Sequence, residues 1–586
     1  MRRLQETDVG RPFQGRQGGA ESPALQRGTL LAALLAVMWT LPLGGAPPPE
    51  ISFTDVTAKA NVAFTHVNGA SPDKHLPETM GSGGAFVDLD GDGWIDVVLV
   101  DGGSMADPQV ARRAKPRVLR NKRDGTFEDV TARSGIRQHG YGMGVCAGDI
   151  DNDGHIDLYV TGVGGNALYK NRGDFTFTDV TASAGVAGSG WSTSCAFADL
   201  DGDGDLDLFV TRYVDLSRPE PFCGDERAKR RAYCHPLALP PMSNLVFRND
   251  GGGVFTDVSE STGIAKYRSN GLGVVISDLD GNGFPDVFVA NDSLPNFLFV
   301  NEGGWRFTEA ALQEGVSVAD DGKARAGMGV DTGDYDGDGL LDLIVTNLDF
   351  ETTSLFRNLG KRLFSYATRE SGIGPPTRPY VGFGVLLLDY DNDTKLDIAI
   401  VNGHVIDNTA LFRQGSKHAQ PNLLMHNEDG RRFRAAGTLP TQGNTPDKVS
   451  RGLAAADFDN DGDLDLLVTN NGDRVDLLRN DGGNARNALL IQLVARTSAP
   501  NGIGARVVAK VGTRTLVREV KAGSSYLSQS DTRVHLGLDR ADAVERLEVH
   551  WPGGATEVFP NVAANQILTI RQGSGIVARK SLNRPS

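Results

Sequence analysis

Cysteine is scarce: four in 586 residues exclude a disulfide-dense scaffold and a cysteine-rich zinc protein. Basic residues are outnumbered, 59 Lys and Arg against 74 Asp and Glu, and a formal net charge of −15 leaves no electrostatic footprint for nucleic acid. The motifs GxSxG, P-loop and H-E-x-x-H are absent, and the 10 histidines form no spaced metal set. Gly-x-Gly stretches such as Gly271-Leu272-Gly273 precede aspartate-rich loops and read as backbone turns, not phosphate cradles. Long hydrophobic runs are missing except for Thr29 to Leu43, which falls short of the ~20 residues that span a bilayer. Arg27 before it and Gly44-Gly45-Ala46 after it suit a secretory signal cleaved after Ala46, within residues 1–46; an uncleaved anchor is the alternative. No later segment has the length and apolarity of a membrane-spanning helix.

Glycine is plentiful, 73 residues or about 12% of the chain against roughly 7% on average, and it marks many tight turns. The turns belong to a repeat. The pattern D-x-D-x-[DN]-x-x-x-D occurs seven times. Its residues are Asp88, Asp90, Asp92 and Asp96; Asp149, Asp151, Asp153 and Asp157; Asp199, Asp201, Asp203 and Asp207; and Asp278, Asp280, Asn282 and Asp286. The last three copies are Asp334, Asp336, Asp338 and Asp342; Asp389, Asp391, Asp393 and Asp397; and Asp457, Asp459, Asp461 and Asp465.

Two elements recur in phase with it. An L-x-x-N segment or close variant ends at Asn121, Asn171, Asn249, Asn301, Asn358, Asn427 and Asn480. A T-F-x-D-V-T strand follows at Phe127, Phe177 and Phe255, with weaker forms at Phe307, Phe364 and Phe433. Each unit therefore predicts four strands, and radial repetition of such units is a β-propeller. The seventh copy lacks its last strand, whereas an unpaired copy, Ser52 to Thr57, opens the chain. The offset predicts a seven-bladed propeller over residues 51–483, closed by its N-terminal strand, which removes the exposed edge of an open array. A rod-like solenoid would have no need of the offset copy.

Oxygen donors at positions 1, 3, 5 and 9 of a tight turn suit a hard cation. Calcium takes six to eight oxygens, and a backbone carbonyl with water would complete its shell. Clustered carboxylates do not ionise together readily without a cation. Asp and Gly are also ordinary turn formers, but seven in-phase copies point to calcium, up to seven ions, at all the residues named above. An EF-hand needs a bidentate Glu at position 12, and here that position is Leu99, Val160, Val210, Val289, Val345, Ile400 or Val468. Two copies depart from the pattern: Asn282 removes one charge, and Thr394 stands where glycine is expected, which predicts weaker sites and an altered turn in the sixth loop.

These loops resemble the FG-GAP/VCBS repeats of integrin-α-type propellers, and Glu78-Thr79-Met80-Gly81-Ser82-Gly83 resembles the opening of cartilage-acidic-protein-like chains. The resemblance implies calcium at the loop aspartates, and a shorter form without an EGF-like module. Residues 486–571 predict about seven short strands, a small β-sandwich. Its landmarks, Gly502 to Arg506, Val534 to Leu538 and Trp551-Pro552-Gly553-Gly554, resemble the ASPIC/UnbV domain. Trp551 reads as a packing residue, and the polar, basic tail 572–586 as disordered.

The longest gap between loops holds a proline-rich insertion, residues 212–243, with Cys223 and Cys234. Export favours a disulfide between them. Cys146 and Cys195, in adjacent blades, read as buried small apolar residues with free thiols, a second bridge being the alternative. The fold class is all-β, and no catalytic residue emerges. The leading expectation is an exported, secreted, periplasmic or cell-surface calcium-binding scaffold whose loop-bearing faces and insertion contact a protein or glycan. The alternatives are a calcium-dependent enzyme acting on extracellular polysaccharide, which propellers can host, and, from the resemblance of the C-terminal domain alone, an accessory protein of secondary metabolism.

Overall fold

Alternating β-branched and aromatic residues around glycine turns fold each repeat into a four-stranded antiparallel meander. A computed structural model describes residues 51–584, apart from 112–113, 138, 410–414, 442–445, 497–498 and 500, so the N-terminal signal expectation lies outside the described residues. The first sheet runs Gly84–Val87, Asp96–Leu99, Arg117–Asn121 and Phe127–Asp129, in that order. Five more sheets repeat the order, and in the seventh the N-terminal strand Ser52–Asp55 pairs antiparallel with Asp476–Asp481. The first strands of the seven sheets neighbour one another in a closed circle. The molecule is thus an all-β propeller closed by its two ends. Adjacent sheets share apolar cores, such as Phe209, Val246, Val287 and Phe299 between the third and fourth. Among the described residues no helix is long and apolar enough to cross a membrane.

The conserved spacing of the asparagine has a structural cause. Its backbone N–H donates to the last aspartate of its own loop in all seven sheets, at 2.7–2.9 Å. Its side-chain amide then donates to two carbonyls, one in its own loop and one in the loop of the preceding sheet. The second contact runs from Asn121 to Phe458, Asn171 to Leu89, Asn249 to Ile150 and Asn301 to Leu200. It continues from Asn358 to Leu279, Asn427 to Tyr335 and Asn480 to Tyr390, which completes the ring.

After the propeller come eight strands in two four-stranded sheets that share one core, including Ile491, Leu536, Val507 and Leu547. Trp551 is buried in it, with its indole N–H on Glu557 at 2.9 Å. The tail is not disordered: Gly575–Ser581 pairs with Gln566–Arg571 as an edge strand, using backbone groups that hydropathy does not register.

Residues 521–531 leave this domain and enter the propeller axis. Ser525 exchanges backbone hydrogen bonds with Val330, Gln529 with Gly84 and Phe86, and Leu527 O accepts from Val145 N. The Gln529 side chain pairs with both backbone groups of Ala147, and Ala522 O and Ser530 Oγ accept from Phe197 N and Ala455 N. The segment is a plug that satisfies the channel-facing backbone of the first strands. Gly83 explains part of the Glu78–Gly83 motif: a Cβ there would lie 1.6 Å from Leu527 O.

Cys146 and Cys195, expected as free thiols, are joined. They lie on the first strands of the second and third sheets, which the circular packing brings to a Cα–Cα distance of 5.8 Å, inside the range a disulfide needs. Cys223 and Cys234 are also joined.

The amide ring carries a direct stability consequence. In Asn301→Ala the buried carbonyl of Leu200 and the half-buried carbonyl of Pro285 lose their donor. Each such loss costs ~1–3 kcal/mol, so urea denaturation is expected to show a loss of about 2 kcal/mol or more. A change within ordinary surface-mutation scatter, about 0.5 kcal/mol, would show that the ring is incidental.

Candidate functional site

The seven aspartate loops connect the first and second strands of every sheet. In each, Oδ2 of the first aspartate accepts the N–H of the sixth residue at 2.8–3.0 Å: Gly93, Gly154, Gly204, Gly283, Gly339, Thr394 and Gly462. That contact demands left-handed backbone, with φ between 81° and 102°. Glycine adopts it without strain. Thr394 adopts it too, at φ 83°, so the sixth loop keeps its turn although the residue is unsuited to it.

The structure brings carboxylates together within single loops: Asp88, Asp90 and Asp96; Asp149, Asp151 and Asp157; Asp199, Asp201 and Asp203; and Asp278, Asp280 and Asp286. Asp92 and Asp153 each turn one oxygen to the following backbone N–H, as do Asp203, Asn282, Asp338 and Asp393. In the fifth and seventh loops Asp342 and Asp465 each bind the asparagine N–H, and Asp334 and Asp457 hold the turn. Asp207 does the same as Asp342 in the third loop.

Sequence reasoning missed a basic partner. The residue before the asparagine is Arg120, Lys170, Arg248, Val300, Arg357, His426 or Arg479. Arg120 reaches Asp90 at 2.9 Å, Arg357 reaches Asp336 at 2.6 Å, and Lys170 pairs with Asp151 and Asp153. In the sixth loop His426 lies 3.2 Å from Asp397 and 3.7 Å from Asp391, and the bond to Asp397 raises its pKa. Its neighbour Asn427 carried the recurring signal, and a column of basic residues one place earlier was legible in the same alignment of repeats.

These side chains neutralise part of the loop charge. Buried oxygens without a hydrogen-bond donor remain on Asp90, Asp151, Asp397 and Asp459. Burial raises the carboxyl pKa of Asp88 to about 6, Asp157 to about 7, Asp96 to about 8 and Asp207 to about 9, and neighbouring carboxylates add to it. Buried oxygen donors that resist ionisation fit a hard divalent cation, which would supply the missing charge. The seventh loop is the most enclosed. Asp457, Asp463 and Asp465 are 0% exposed, so Asp463 joins the repeat residues there.

This enclosure comes from the C-terminal domain, which docks on the aspartate-loop face at the fifth, sixth and seventh loops. Arg533 donates to Asp457 O and Asn460 Oδ1, both at 2.7 Å, and Arg506 donates to Gly339 O. Asp539 N donates to Asn392 O, and Asn583 to the Asn460 and Asp459 carbonyls. Over these loops the docked basic surface belongs to the same chain, whereas Asp153, Asp203 and Asn282 in the second to fourth loops are exposed.

The opposite face carries the insertion. Its disulfide-closed segment lies across the mouth of the axis as a lid. Tyr233 donates to the buried Glu78 at 3.1 Å, and Glu220 binds His75 and Leu76 N at 2.7 and 2.9 Å. Beneath it Arg451, fully buried, donates to the carbonyls of Thr79, Gly403 and Ser450 and lies 3.9 Å from the Phe383 ring centre. Thr79 and Met80, whose carbonyl accepts from plug Tyr526 at 3.2 Å, complete the physical account of the Glu78–Gly83 motif.

The raised carboxyls set a pH dependence in chelator. Unfolded aspartate titrates near 4, and the folded groups titrate at about 6 to about 9. Between those values the folded state holds more protons, so stability falls as pH rises. A chelated sample is expected to melt progressively lower from pH 4 towards pH 8 by differential scanning calorimetry; a melt that rises over this window would contradict the assignment.

Comparison with known proteins agrees with this layout. The family described as FG-GAP-like repeat matches residues 88–160, 149–210, 278–345 and 334–400, and ASPIC and UnbV matches residues 495–577. Cartilage acidic protein 1 of Xenopus tropicalis is 30% identical over 315 residues, 51% of this chain and 44% of that protein. The Homo sapiens protein of the same name is 29% identical over 332 residues, 54% of this chain and 45% of that protein. The chain thus spans about half the length of these curated relatives. A lectin of Agrocybe aegerita specific for non-reducing terminal N-acetylglucosamine aligns at 16% identity over 62% of this chain and 81% of that one, with a TM-score of 0.35, a likeness too low to carry an argument.

Proposed function

We propose that this chain, which carries FG-GAP-like repeats and an ASPIC and UnbV domain, is an exported scaffold whose aspartate loops hold calcium and whose lid face binds an extracellular or envelope protein or glycan. The observation that carries the reading is the division of the two faces. One end of the propeller is acidic, ringed by loop carboxylates and partly covered by the chain's own basic domain. The other is free of that cover and carries a long, disulfide-closed loop on a rigid frame, the usual arrangement of a binding surface.

Calcium would be held by the carboxylates of the repeat, from Asp88 in the first loop to Asp465 in the seventh, with Asp463 added in the seventh. The ion would supply the positive charge that buried carboxylates need to remain ionised. Its effect is structural: it fixes the turns onto which the C-terminal domain docks. Two disulfides suit an oxidising compartment, which agrees with the apolar run at Thr29 to Leu43 as an export signal.

The enzymatic alternative has one observation in its favour, the convergence of Tyr213, Asp292 and His235 under the lid. The space there is about 120 Å³, well under the ~300 Å³ at which ordinary ligand pockets begin. A polysaccharide chain does not fit beneath a lid of that kind, and binding is the stronger reading.

The test is a thermal melt of the full chain in calcium and in excess chelator, with elemental analysis of both samples. Each ion at a hundredfold excess over its dissociation constant adds about 2.7 kcal/mol, so a large calcium-dependent rise in Tm is expected. Asp465→Asn, in the most enclosed loop, should remove more of that rise than Asp280→Asn in the loop that already carries Asn282. Identical melts, with the ion verified as removed by chelation, would overturn the calcium part of the reading.

A further inference from the structure

A partly enclosed cavity of about 120 Å³ lies beneath the lid, close to the ~150 Å³ of an engineered cavity that takes up benzene. Its floor includes Met80 and Phe383, and the Phe383 ring meets plug Tyr526 edge-on at 4.9 Å. Leu272 and Met328 form walls, and Tyr233 and His235 come from the lid.

One acid faces this space. The Asp292 carboxylate accepts from the Tyr213 hydroxyl at 2.5 Å and from Ser293 Oγ at 2.8 Å. Among the described residues no Lys or Arg pairs with it. Burial raises its pKa, while the hydrogen bonds from Tyr213 and Ser293, and after them the imidazole of His235, favour its ionised form. Tyr213 and Asp292 occupy equivalent places, six residues beyond the last aspartate of their loops. The other five sheets have Gly102, Val163, Leu348, Gly403 and Asn471 there. The pair is therefore a local departure from the repeat, on two adjacent sheets, and both residues line this cavity.

We propose that this cavity binds a small organic cation, an alkyl- or arylammonium, with its nitrogen on the Asp292 carboxylate and its apolar body against Met80, Met328 and Phe383. A carboxylate without a basic partner, set among aromatic faces, favours a positively charged guest twice, through ion pairing and through the ring quadrupoles. An anion would meet Asp292 directly, and a neutral guest of the same shape would bury the acid without charge compensation. The small volume selects a single ring or short chain. The proposal rests on reading the lid face as the ligand-facing one and is independent of the calcium loops.

The test uses the full chain in calcium, with benzylammonium as the probe and benzyl alcohol and benzoate as isosteres, read by titration calorimetry and thermal shift. Saturable binding of benzylammonium, at least tenfold tighter than either isostere, is expected. Asp292→Asn should weaken it tenfold or more, and Tyr213→Phe severalfold. Equal affinity for the three probes, unchanged affinity in Asp292→Asn, or no binding of benzylammonium at concentrations on the order of 10 mM, beyond the weakest useful affinities, would each overturn the proposal. Should Asp292→Asn fail to fold, Tyr213→Phe decides, because its loss of one hydroxyl leaves the ring in place, and unchanged affinity there overturns the proposal. Failure of the cavity would leave the calcium-dependent melt untouched, so the two readings fall separately.

Discussion

The propeller depends on one exchange, repeated seven times. The last aspartate of each loop gives one oxygen to the backbone N–H of an asparagine on the adjacent strand. That asparagine then spends its own amide on the loop of the preceding sheet. A single pair of side chains thus closes a sheet on itself and fastens it to its neighbour. Because the donors are buried, the contact is strong where water cannot compete, and its loss would leave carbonyls unsatisfied. The same aspartate is one of the oxygens available to a cation, so the order of the ring and the charge of the loops are physically the same matter. This explains why the aspartate and asparagine elements recur in phase: either alone would leave a buried polar group without its partner.

The C-terminal domain extends that logic along the axis. A propeller leaves the outward edges of its first strands facing a channel, and those backbone groups need partners. The segment from Ala522 to Asp531 supplies them to six of the seven sheets. The domain body then lays arginines over the acidic loops, with Arg533 placed between Asp531 and Asp457. Breaking a buried charge contact of this sort typically costs ~3–5 kcal/mol. Domain and propeller therefore act as one folding unit, and part of the acidic face is covered by the chain itself.

Much of this was readable from residues. Periodicity set the four-strand unit, and the unpaired Ser52–Thr57 segment predicted closure by the N-terminal strand, as its pairing with Asp476–Asp481 shows. Closure also has a part that sequence does not carry. The bond between Cys146 and Cys195 depends on two first strands, 49 residues apart, being packed side by side around an axis. The edge strand Gly575–Ser581 pairs through its backbone, and its only apolar run, Ile576-Val577-Ala578, is too short to mark a strand beside the basic residues that follow. The plug was least legible of all. Its serines, glycine and glutamine look like a loop because each makes its contacts with another domain's backbone, and no periodicity within the segment records that. The basic column before the asparagine was visible, but attention to the asparagine itself hid it.

The departures from the repeat carry the functional information that the repeat cannot. Positions that stay constant around the ring do the same work in every sheet, which is to hold the next sheet. A residue that serves a ligand on the axis has to break this sameness, because an enclosed guest does not have sevenfold symmetry. Arg451 and the pair Tyr213 and Asp292 are such breaks, and all lie at the lid end. At the aspartate-loop end the loops differ in charge, through Asn282, Val300 and Asp463, and in how deeply the C-terminal domain buries them. The guanidinium of Arg451 is held by carbonyls alone and by the face of Phe383, whereas Asp292 is held by hydroxyls. The two opposite charges sit near the same axis without meeting, although a direct ion pair would have been the simpler way to bury both. Arg451 has its full complement of acceptors and is a fixed part of the frame. Asp292 keeps the capacity for a cationic partner, and that difference makes the acid, not the arginine, the group around which a ligand would organise.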